Sequence, residues 1–193
     1  MRNLFILLLG TILLLACSPE TSEENATPLG DWRHHGGNHR SEKYSPLDQV
    51  NGSNFGLLEV AWRYRSPDLE LPEELAYPTG DYRAMPLVIN GVMYVNSNHG
   101  LISALDPVTG EEHWVFDPKS YEYGPPLFSP LQTRGIEYWT DGNIERLFIA
   151  TSGKQLVSVD IETGQPDPNF GDDGYVDLRE NFGRFEFEMN NIT

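Results

Sequence analysis

The sequence predicts an all-β fold of the β-propeller type, built from repeated blades of short antiparallel strands. Residues 101–111 and 155–165 follow one plan, in which Asp, Thr and Gly recur at a spacing of 54 residues. The apolar strand patterns at 93–95 and 147–149 share that spacing, and turn-forming residues separate the strands of each unit. A period of about 40 to 50 residues rich in short strands is typical of propeller blades.

The first unit predicts strands joined by two tight turns. Residues 87–89 and 92–95 are apolar and flank Asn-Gly at 90–91, a dipeptide that favours a two-residue hairpin. At 106–110 the Asp and Thr side chains can bond nearby backbone amides, and the Gly accepts the strained turn conformation. A further strand is expected over 112–116.

The second unit repeats this order with different residues. Residues 136–140 and 146–150 are expected strands, and they flank Asp-Gly-Asn at 141–143. The 193 residues hold only about three blades at this period, whereas closed propellers have at least about four. We therefore expect residues 31–193 to be the incomplete, N-terminal part of a propeller that belongs to a longer chain.

Repetition assigns two pairs of conspicuous residues to structure. Trp62 and Trp114 stand 52 residues apart, close to the blade period, which predicts packing between neighbouring blades rather than stacking on a cofactor. Asp106 and Asp160 share one turn position. We interpret them as turn residues, because a catalytic carboxylate would be needed only once.

A cluster of three histidines, His34, His35 and His39, stands near the start of the predicted propeller. No second group of ligands with a recognised zinc spacing follows them. We therefore predict a loop at this place, and no metal ligand is predicted within this chain.

The composition argues against one class of partner. The chain carries 29 acidic and 13 basic residues, for a net charge of −16. Such a charge repels phosphate backbones, so nucleic-acid binding is not expected. It places no limit on a neutral substrate.

Residues 1–17 are predicted to be a lipoprotein signal peptide. Arg2 gives a positive start, residues 4–16 form an apolar run too short to span a bilayer comfortably, and Ala16-Cys17 closes the run. This ending resembles a bacterial lipobox, in which Cys17 is lipidated; the alternative is an ordinary signal peptide with an incidental cysteine. Residues 18–30 are polar and acidic and predict a flexible linker.

The expected location is the periplasmic side of a bacterial cell envelope, with a lipid anchor in the membrane. Ser18 follows the cysteine, where an Asp would resemble a signal for retention at the inner membrane. The outer membrane is therefore favoured over the inner one.

Several segments of the folded part carry a family resemblance, and they occur in a preserved order. They are Trp32, 36–37, 44–51, 61–64, 84–88, 114–118, 134–139 and 170–178. Together they span roughly residues 31 to 180 and resemble the pyrroloquinoline quinone (PQQ) dependent dehydrogenases. The last segment is typical of the membrane-associated glucose and polyol branch of that family.

The resemblance implies an eight-bladed propeller in the full-length protein, with PQQ and a calcium ion in its central funnel. It also implies a glucose dehydrogenase-like activity on CH-OH groups, in which a sugar or alcohol transfers hydride to PQQ and a membrane quinone or cytochrome receives the electrons. The catalytic base and the calcium ligands of that family come from later blades. They are expected beyond residue 193, so the fragment itself is expected to be inactive.

Two residues match cofactor-contacting positions of the family. Arg134 would hold a carboxylate of PQQ, because a guanidinium pairs with a carboxylate through two parallel bonds. Thr151 corresponds to a cofactor-contacting Thr of the sugar-oxidising branch. The alternatives are a surface ion pair for Arg134 and a strand-ending residue for Thr151.

Two residues depart from the family pattern near the expected cofactor. Arg83 stands where alcohol-oxidising relatives carry an acidic residue, and Pro130 stands where the sugar-oxidising branch can carry a His. These departures leave open a degenerate enzyme that has lost cofactor binding. A second alternative is a non-catalytic β-propeller lipoprotein scaffold of outer-membrane protein assembly, which would share the anchor and the repeats.

Overall fold

The computed structural model of the protein describes residues 30–75, 77–123 and 135–180. Within these ranges eight strands form two four-stranded antiparallel sheets, each in sequence order. Blade 1 consists of β1 (Leu87–Ile89), β2 (Val92–Asn96), β3 (Ile102–Leu105) and β4 (Glu112–Phe116). Blade 2 consists of β5 (Glu137–Thr140), β6 (Glu145–Ala150), β7 (Gln155–Asp160) and β8 (Tyr175–Asp177). Helical structure in the described ranges is limited to 3-10 turns at Phe55–Leu57, Pro67–Glu70 and Ser120–Tyr123.

Blade 1 forms as its turn residues predict. Asn90 and Gly91 both have positive φ angles, 51° and 80°, as the predicted two-residue hairpin requires. The β1–β2 register pairs Leu87 with Tyr94. Strand β4 occupies the predicted range and pairs with β3 through one irregularity, between Ala104 and Leu105.

Blade 2 repeats the first three strands and changes the fourth. The predicted strands over 136–140 and 146–150 form with ends shifted by one residue. After the 160–164 turn, Pro166 bridges to Val159 and the Asp167 amide donates to the Ser158 carbonyl at 2.9 Å. Residues 168–173 then leave the sheet. The chain returns as β8, where Tyr175 pairs with Val157.

One apolar core holds the two blades together. It combines buried side chains of both sheets, among them the fully buried Leu87, Ile102, Leu147 and Val159. The ring of Tyr94 in β2 lies 5.8 Å from that of Trp114. Burial of such apolar area is the main stabilising contribution to the fold.

The N-terminal part of the described chain packs along blade 1. The backbone of Trp32 exchanges two hydrogen bonds with Val88 of β1, at 2.7 and 3.0 Å. Residues 59–65 run extended beside the blade without a backbone hydrogen bond to any described residue. The side chains of Trp62 and Tyr64 hold this segment in place, because Trp62 Nε1 donates to the Pro107 carbonyl at 3.1 Å and the Tyr64 hydroxyl oxygen accepts from Ser103 Oγ at 2.9 Å.

Each of the two repeated tryptophans packs on a glycine in the Asp-x-x-Thr-Gly turn of the next repeat. A Cβ atom on Gly110 would lie 2.6 Å from Cδ2 of Trp62, and one on Gly164 would lie 2.5 Å from Cδ2 of Trp114. Both glycines have positive φ angles, 74° and 68°. The predicted packing of these tryptophans between neighbouring repeats is therefore confirmed, and Trp62 occupies for blade 1 the place that Trp114 of β4 occupies for blade 2.

The aspartates at the start of these turns bond the backbone, as predicted. Asp106 Oδ1 accepts from the amides of Val108 and Thr109 at 2.7 and 2.9 Å. Asp160 Oδ1 accepts from the Thr163 amide at 2.8 Å. The hydrogen bonds from the Thr109 and Val108 amides also lower the pKa of Asp106, since they stabilise the charged carboxylate.

The predicted signal peptide, with Cys17, lies outside the described residues, as does most of the predicted linker. Their boundaries stay predictions. Within the described ranges, none of the helical segments has the length and hydropathy that crossing a bilayer requires.

Candidate functional site

The predicted cofactor-contacting Arg134 lies just before the described residues resume at Gly135. Gly135 lies beside the residues that precede β1, because a Cβ on it would come 3.9 Å from the Ala84 Cβ and 4.0 Å from the Met85 amide nitrogen. The residues that precede the first strands of the two blades are therefore neighbours. Arg83 belongs to this region; its side chain is 52% exposed and its Nη2 lies 3.0 Å from Asp81 Oδ2.

Thr151 lies in the turn between β6 and β7, where it closes the turn. Its amide donates to the Gln155 carbonyl at 2.9 Å, and its Oγ1 accepts from the Gln155 amide at 3.4 Å. Ser97 makes the same pair of bonds with Leu101 in blade 1, at 2.8 and 3.2 Å. The structure thus gives Thr151 a repeated turn role, and its contact with a cofactor stays a prediction.

Gly135 and Thr151 lie at the same end of blade 2. The register of β5 and β6 pairs Glu137 with Phe148, so the residues before β5 and those after β6 meet at one edge. The neighbour of Arg134 and the predicted cofactor-contacting Thr151 are therefore brought to one end of one sheet. A cofactor lying across that end could contact both positions.

The described chain also contains a buried Asp–His pair that the sequence did not suggest. Asp68, on the 3-10 turn Pro67–Glu70, pairs with His99, on the β2–β3 turn, at 3.1 Å between Oδ2 and Nδ1. The two side chains are 11% and 4% exposed. Ser66 Oγ donates to the other carboxylate oxygen at 2.5 Å.

The charge of Asp68 is stabilised in this position. Burial raises the pKa of the carboxyl group, but the hydrogen bonds from His99 and Ser66 outweigh it and the net pKa is lowered. The carboxylate is therefore ionised at neutral pH and holds the imidazole from its Nδ1 side.

A cavity of about 550 Å³ opens beside this pair, between the segment 64–82 and blade 1. We call it the blade 1 cavity. One of its walls is Tyr64, whose hydroxyl also donates to Glu112 Oε2 at 2.5 Å. Burial, together with that hydrogen bond, raises the pKa of Tyr64 to about 12, so the phenol stays neutral.

The equivalent contact in blade 2 has a different chemistry. The 3-10 turn Ser120–Tyr123 meets the β6–β7 turn, where the 54-residue spacing places Gly153 opposite His99. A Cβ on Gly153 would lie 3.1 Å from Cδ2 of Tyr123. This replacement of a histidine by a glycine at matched repeat positions was the one sequence signal that could have identified the Asp68–His99 pair.

The histidine cluster forms an ordinary polar contact. His34 Nδ1 lies 2.5 Å from Glu137 Oε1, and the His34 and His39 rings stack with centroids 4.0 Å apart. Across the described residues no group of three or more His, Cys, Asp or Glu side chains could hold a metal ion.

Comparisons with known proteins agree with one another. The family model for the PQQ glucose/ethanol/alcohol dehydrogenase β-propeller domain matches residues 32–193. Over 172 residues the chain is 30% identical to a quinoprotein glucose dehydrogenase of Gluconobacter oxydans (strain 621H), covering 82% of this chain and 21% of the relative. Over 146 residues it is 33% identical to the dehydrogenase subunit of an alcohol dehydrogenase (quinone) of the same organism, covering 75% of this chain and 17% of the relative.

A solved structure has the same arrangement of strands. The quinohemoprotein alcohol dehydrogenase of Comamonas testosteroni superposes with a TM-score of 0.61 at 25% identity, covering 82% of this chain and 21% of that chain. The chain therefore spans about a fifth of the length of the proteins that it resembles.

Proposed function

Because the chain belongs to the family of PQQ-dependent glucose, ethanol and alcohol dehydrogenases, we propose that the full-length protein oxidises a sugar or an alcohol with PQQ as the oxidant. The observation that carries this proposal is the family match, which covers residues 32 to 193. The substrate proposed first is a sugar or polyol, because residues 170–178 resemble the glucose branch. The activity belongs to the whole protein, since this chain corresponds to 21% and 17% of the two relatives.

The residues just before β1 and just before β5 could hold a cofactor that carries several carboxylates. Arg83 supplies a half-exposed guanidinium there, and Arg134 adjoins Gly135, which packs beside Ala84. Guanidinium groups pair with carboxylates in two parallel bonds, so Arg134 would hold PQQ and Thr151 would add a hydroxyl contact. The chemistry that PQQ supplies when bound is acceptance of a hydride from the substrate. Arg83 is paired with Asp81 at 3.0 Å, so it would hold a cofactor carboxylate only by exchanging that partner.

We also propose that calcium, a membrane quinone or cytochrome, and a lipid anchor complete the system. Calcium would act as a Lewis acid on the cofactor, and its ligands would come from beyond residue 193. An acyl-modified Cys17 would hold the protein at the periplasmic side of the envelope, in the outer membrane. Lipid chains supply anchoring through burial of their methylene groups.

The decisive experiment adds PQQ and calcium to the full-length protein and follows dye reduction with glucose, glycerol and ethanol. We expect PQQ-dependent reduction, faster with the sugar or polyol than with ethanol. A matched reaction without PQQ is the control. Absence of reduction with every substrate, together with no measurable PQQ binding, would overturn the proposal and favour the non-catalytic scaffold.

The anchor is tested separately by Cys17→Ser. The variant should appear in the soluble periplasmic fraction, whereas the unchanged protein should sediment with outer membranes and incorporate labelled fatty acid. Equal sedimentation of both proteins, without label, would contradict lipidation of Cys17.

A further inference from the structure

The blade 1 cavity has walls of two kinds. Three tyrosines provide aromatic surface, and polar groups come from Asp68 of the Pro67–Glu70 turn and, on the blade 1 side, from His99 and Asn98. The tyrosines are Tyr64, Tyr77 and Tyr82. A concave site with aromatic walls and a few convergent polar groups is the usual form of a small-molecule site.

Two polar atoms of this wall lack a partner among the described residues. They are His99 Nε2 and Asn98 Oδ1, and both are buried. The other polar atom of each side chain is engaged, because His99 Nδ1 faces Asp68 and Asn98 Nδ2 donates to the Gly80 carbonyl at 3.3 Å. Buried acceptors without a donor are unfavourable and are normally satisfied by a side chain, water or ligand.

The fold does not require the charged pair at this position. Blade 2 joins its 3-10 turn to the β6–β7 turn through Tyr123 and Gly153, and no ion pair links the described residues of these two turns. Since one backbone arrangement forms with either chemistry, the charged version in blade 1 calls for a reason other than blade construction.

We propose that the blade 1 cavity binds a neutral molecule rich in hydroxyl groups, of the sugar or polyol class. Hydroxyl groups donate to Asn98 Oδ1, and they can donate to or accept from His99 Nε2 in either of its protonation states. Both atoms are shielded in the ligand-free conformation, so binding includes a rotation of these side chains towards the ligand. The tyrosine rings cover the apolar faces of the molecule.

The charges of the cavity disfavour anionic ligands. The Asp68 carboxylate and the net charge of −16 disfavour carboxylates and phosphates. A neutral hydroxylated ligand matches what remains. This site goes beyond the proposed function, because binding there needs no PQQ.

The test is calorimetric titration of the full-length, PQQ-free protein with glucose and glycerol, and with gluconate as the anionic counterpart. We expect binding of the neutral compounds and none of gluconate. His99→Phe, which keeps a ring of similar size, should weaken binding at least about fivefold through the lost hydrogen bond. Asn98→Ala should do the same and carries the test if His99→Phe does not fold.

Two controls separate this site from others. His113→Gln removes an exposed histidine of β4 and should leave binding unchanged, as should Arg134→Ala at the proposed cofactor site. Equal affinity in the His99 and Asn98 variants, loss of binding in Arg134→Ala alone, or a cavity that holds ordered water only would overturn the proposal. Because PQQ is absent, failure here leaves the dye-reduction result unaffected.

Discussion

Blade 1 and blade 2 share strand order and turn positions, but they differ where the 3-10 turn meets the neighbouring sheet turn. In blade 1 the contact is the buried Asp68–His99 pair, and in blade 2 it is Tyr123 against Gly153. The backbone arrangement is kept while the contact changes from charged to aromatic. The repeat therefore specifies where turns meet, and the side chains at the meeting point can differ in chemistry without loss of the fold.

The fourth strands differ as well. Strand β4 pairs with β3 through one irregularity, whereas the chain in blade 2 leaves the sheet after Asp167 and returns at β8. Asp167 secures the departure, because its carboxylate lies 2.9 Å from Arg146 Nη2 and is 5% exposed. The excursion of residues 168–173 is thus anchored at its start, and it contains part of the segment that resembles the glucose branch.

The largest effect is expected where the two blades are most alike. Gly110→Ala and Gly164→Ala should each lower the free energy of unfolding by about 2–4 kcal/mol, because the new Cβ meets a tryptophan ring and the backbone has positive φ. Gly142→Ala is the matched control, since its φ is 94° but no atom lies within 4 Å of the new Cβ. Denaturant unfolding of the full-length protein measures all three, and an equal loss in the control would refute the role of tryptophan packing.

The next effect belongs to blade 1 alone. Asp68→Asn should lower the free energy of unfolding at neutral pH by about 1–3 kcal/mol, because a buried charged hydrogen bond is lost. The folded-state pKa of Asp68 is lowered, so its contribution is present above the unfolded pKa of about 4 and is lost as pH falls through the folded pKa.

Unfolding between pH 7 and pH 2 measures this dependence. The difference between Asp68→Asn and the unchanged protein should shrink towards acid pH. Tyr123→Phe in blade 2 is the control, and it should show no such dependence. A difference that stays constant over this range would contradict the assignment of the charge to Asp68.

The turn aspartates should show a smaller effect of equal size in both blades. Asp106→Ala and Asp160→Ala each remove bonds to turn amides, so both should lower the unfolding midpoint, by less than the glycine variants. Thermal unfolding compares them directly. If only one variant is destabilised, the two turns are not equivalent.

The smallest stability effect separates turn structure from cofactor contact. Thr151→Val and Ser97→Ala each remove one turn hydrogen bond and should lower stability by about 0.5–1 kcal/mol. PQQ affinity, measured by titration, should fall about tenfold for Thr151→Val and should not change for Ser97→Ala. Unchanged affinity in both variants would remove Thr151 from the proposed cofactor site.

Local sequence signals predicted the features that depend on local geometry. The Asn90-Gly91 hairpin, the Asp106 and Asp160 turns and the tryptophan packing all followed from turn chemistry and spacing, and the structure confirms them. The Asp68–His99 pair could not be predicted in this way, because 31 residues separate its members and neither belongs to a motif. The departure at Asp167 was missed for the same reason: the ion pair with Arg146 forms only once β6 is in place. Arg134 and Thr151 were proposed from resemblance alone and still depend on it.

The packing of each tryptophan on a later glycine also has a direction in time. Gly110 follows Trp62 by 48 residues, and Gly164 follows Trp114 by 50. At ribosomal rates of about 5–20 residues per second, each glycine is made roughly 2–10 s after its tryptophan. Each tryptophan therefore emerges before the glycine on which it packs exists, and the contact between one repeat and the next forms only as the next repeat is synthesised.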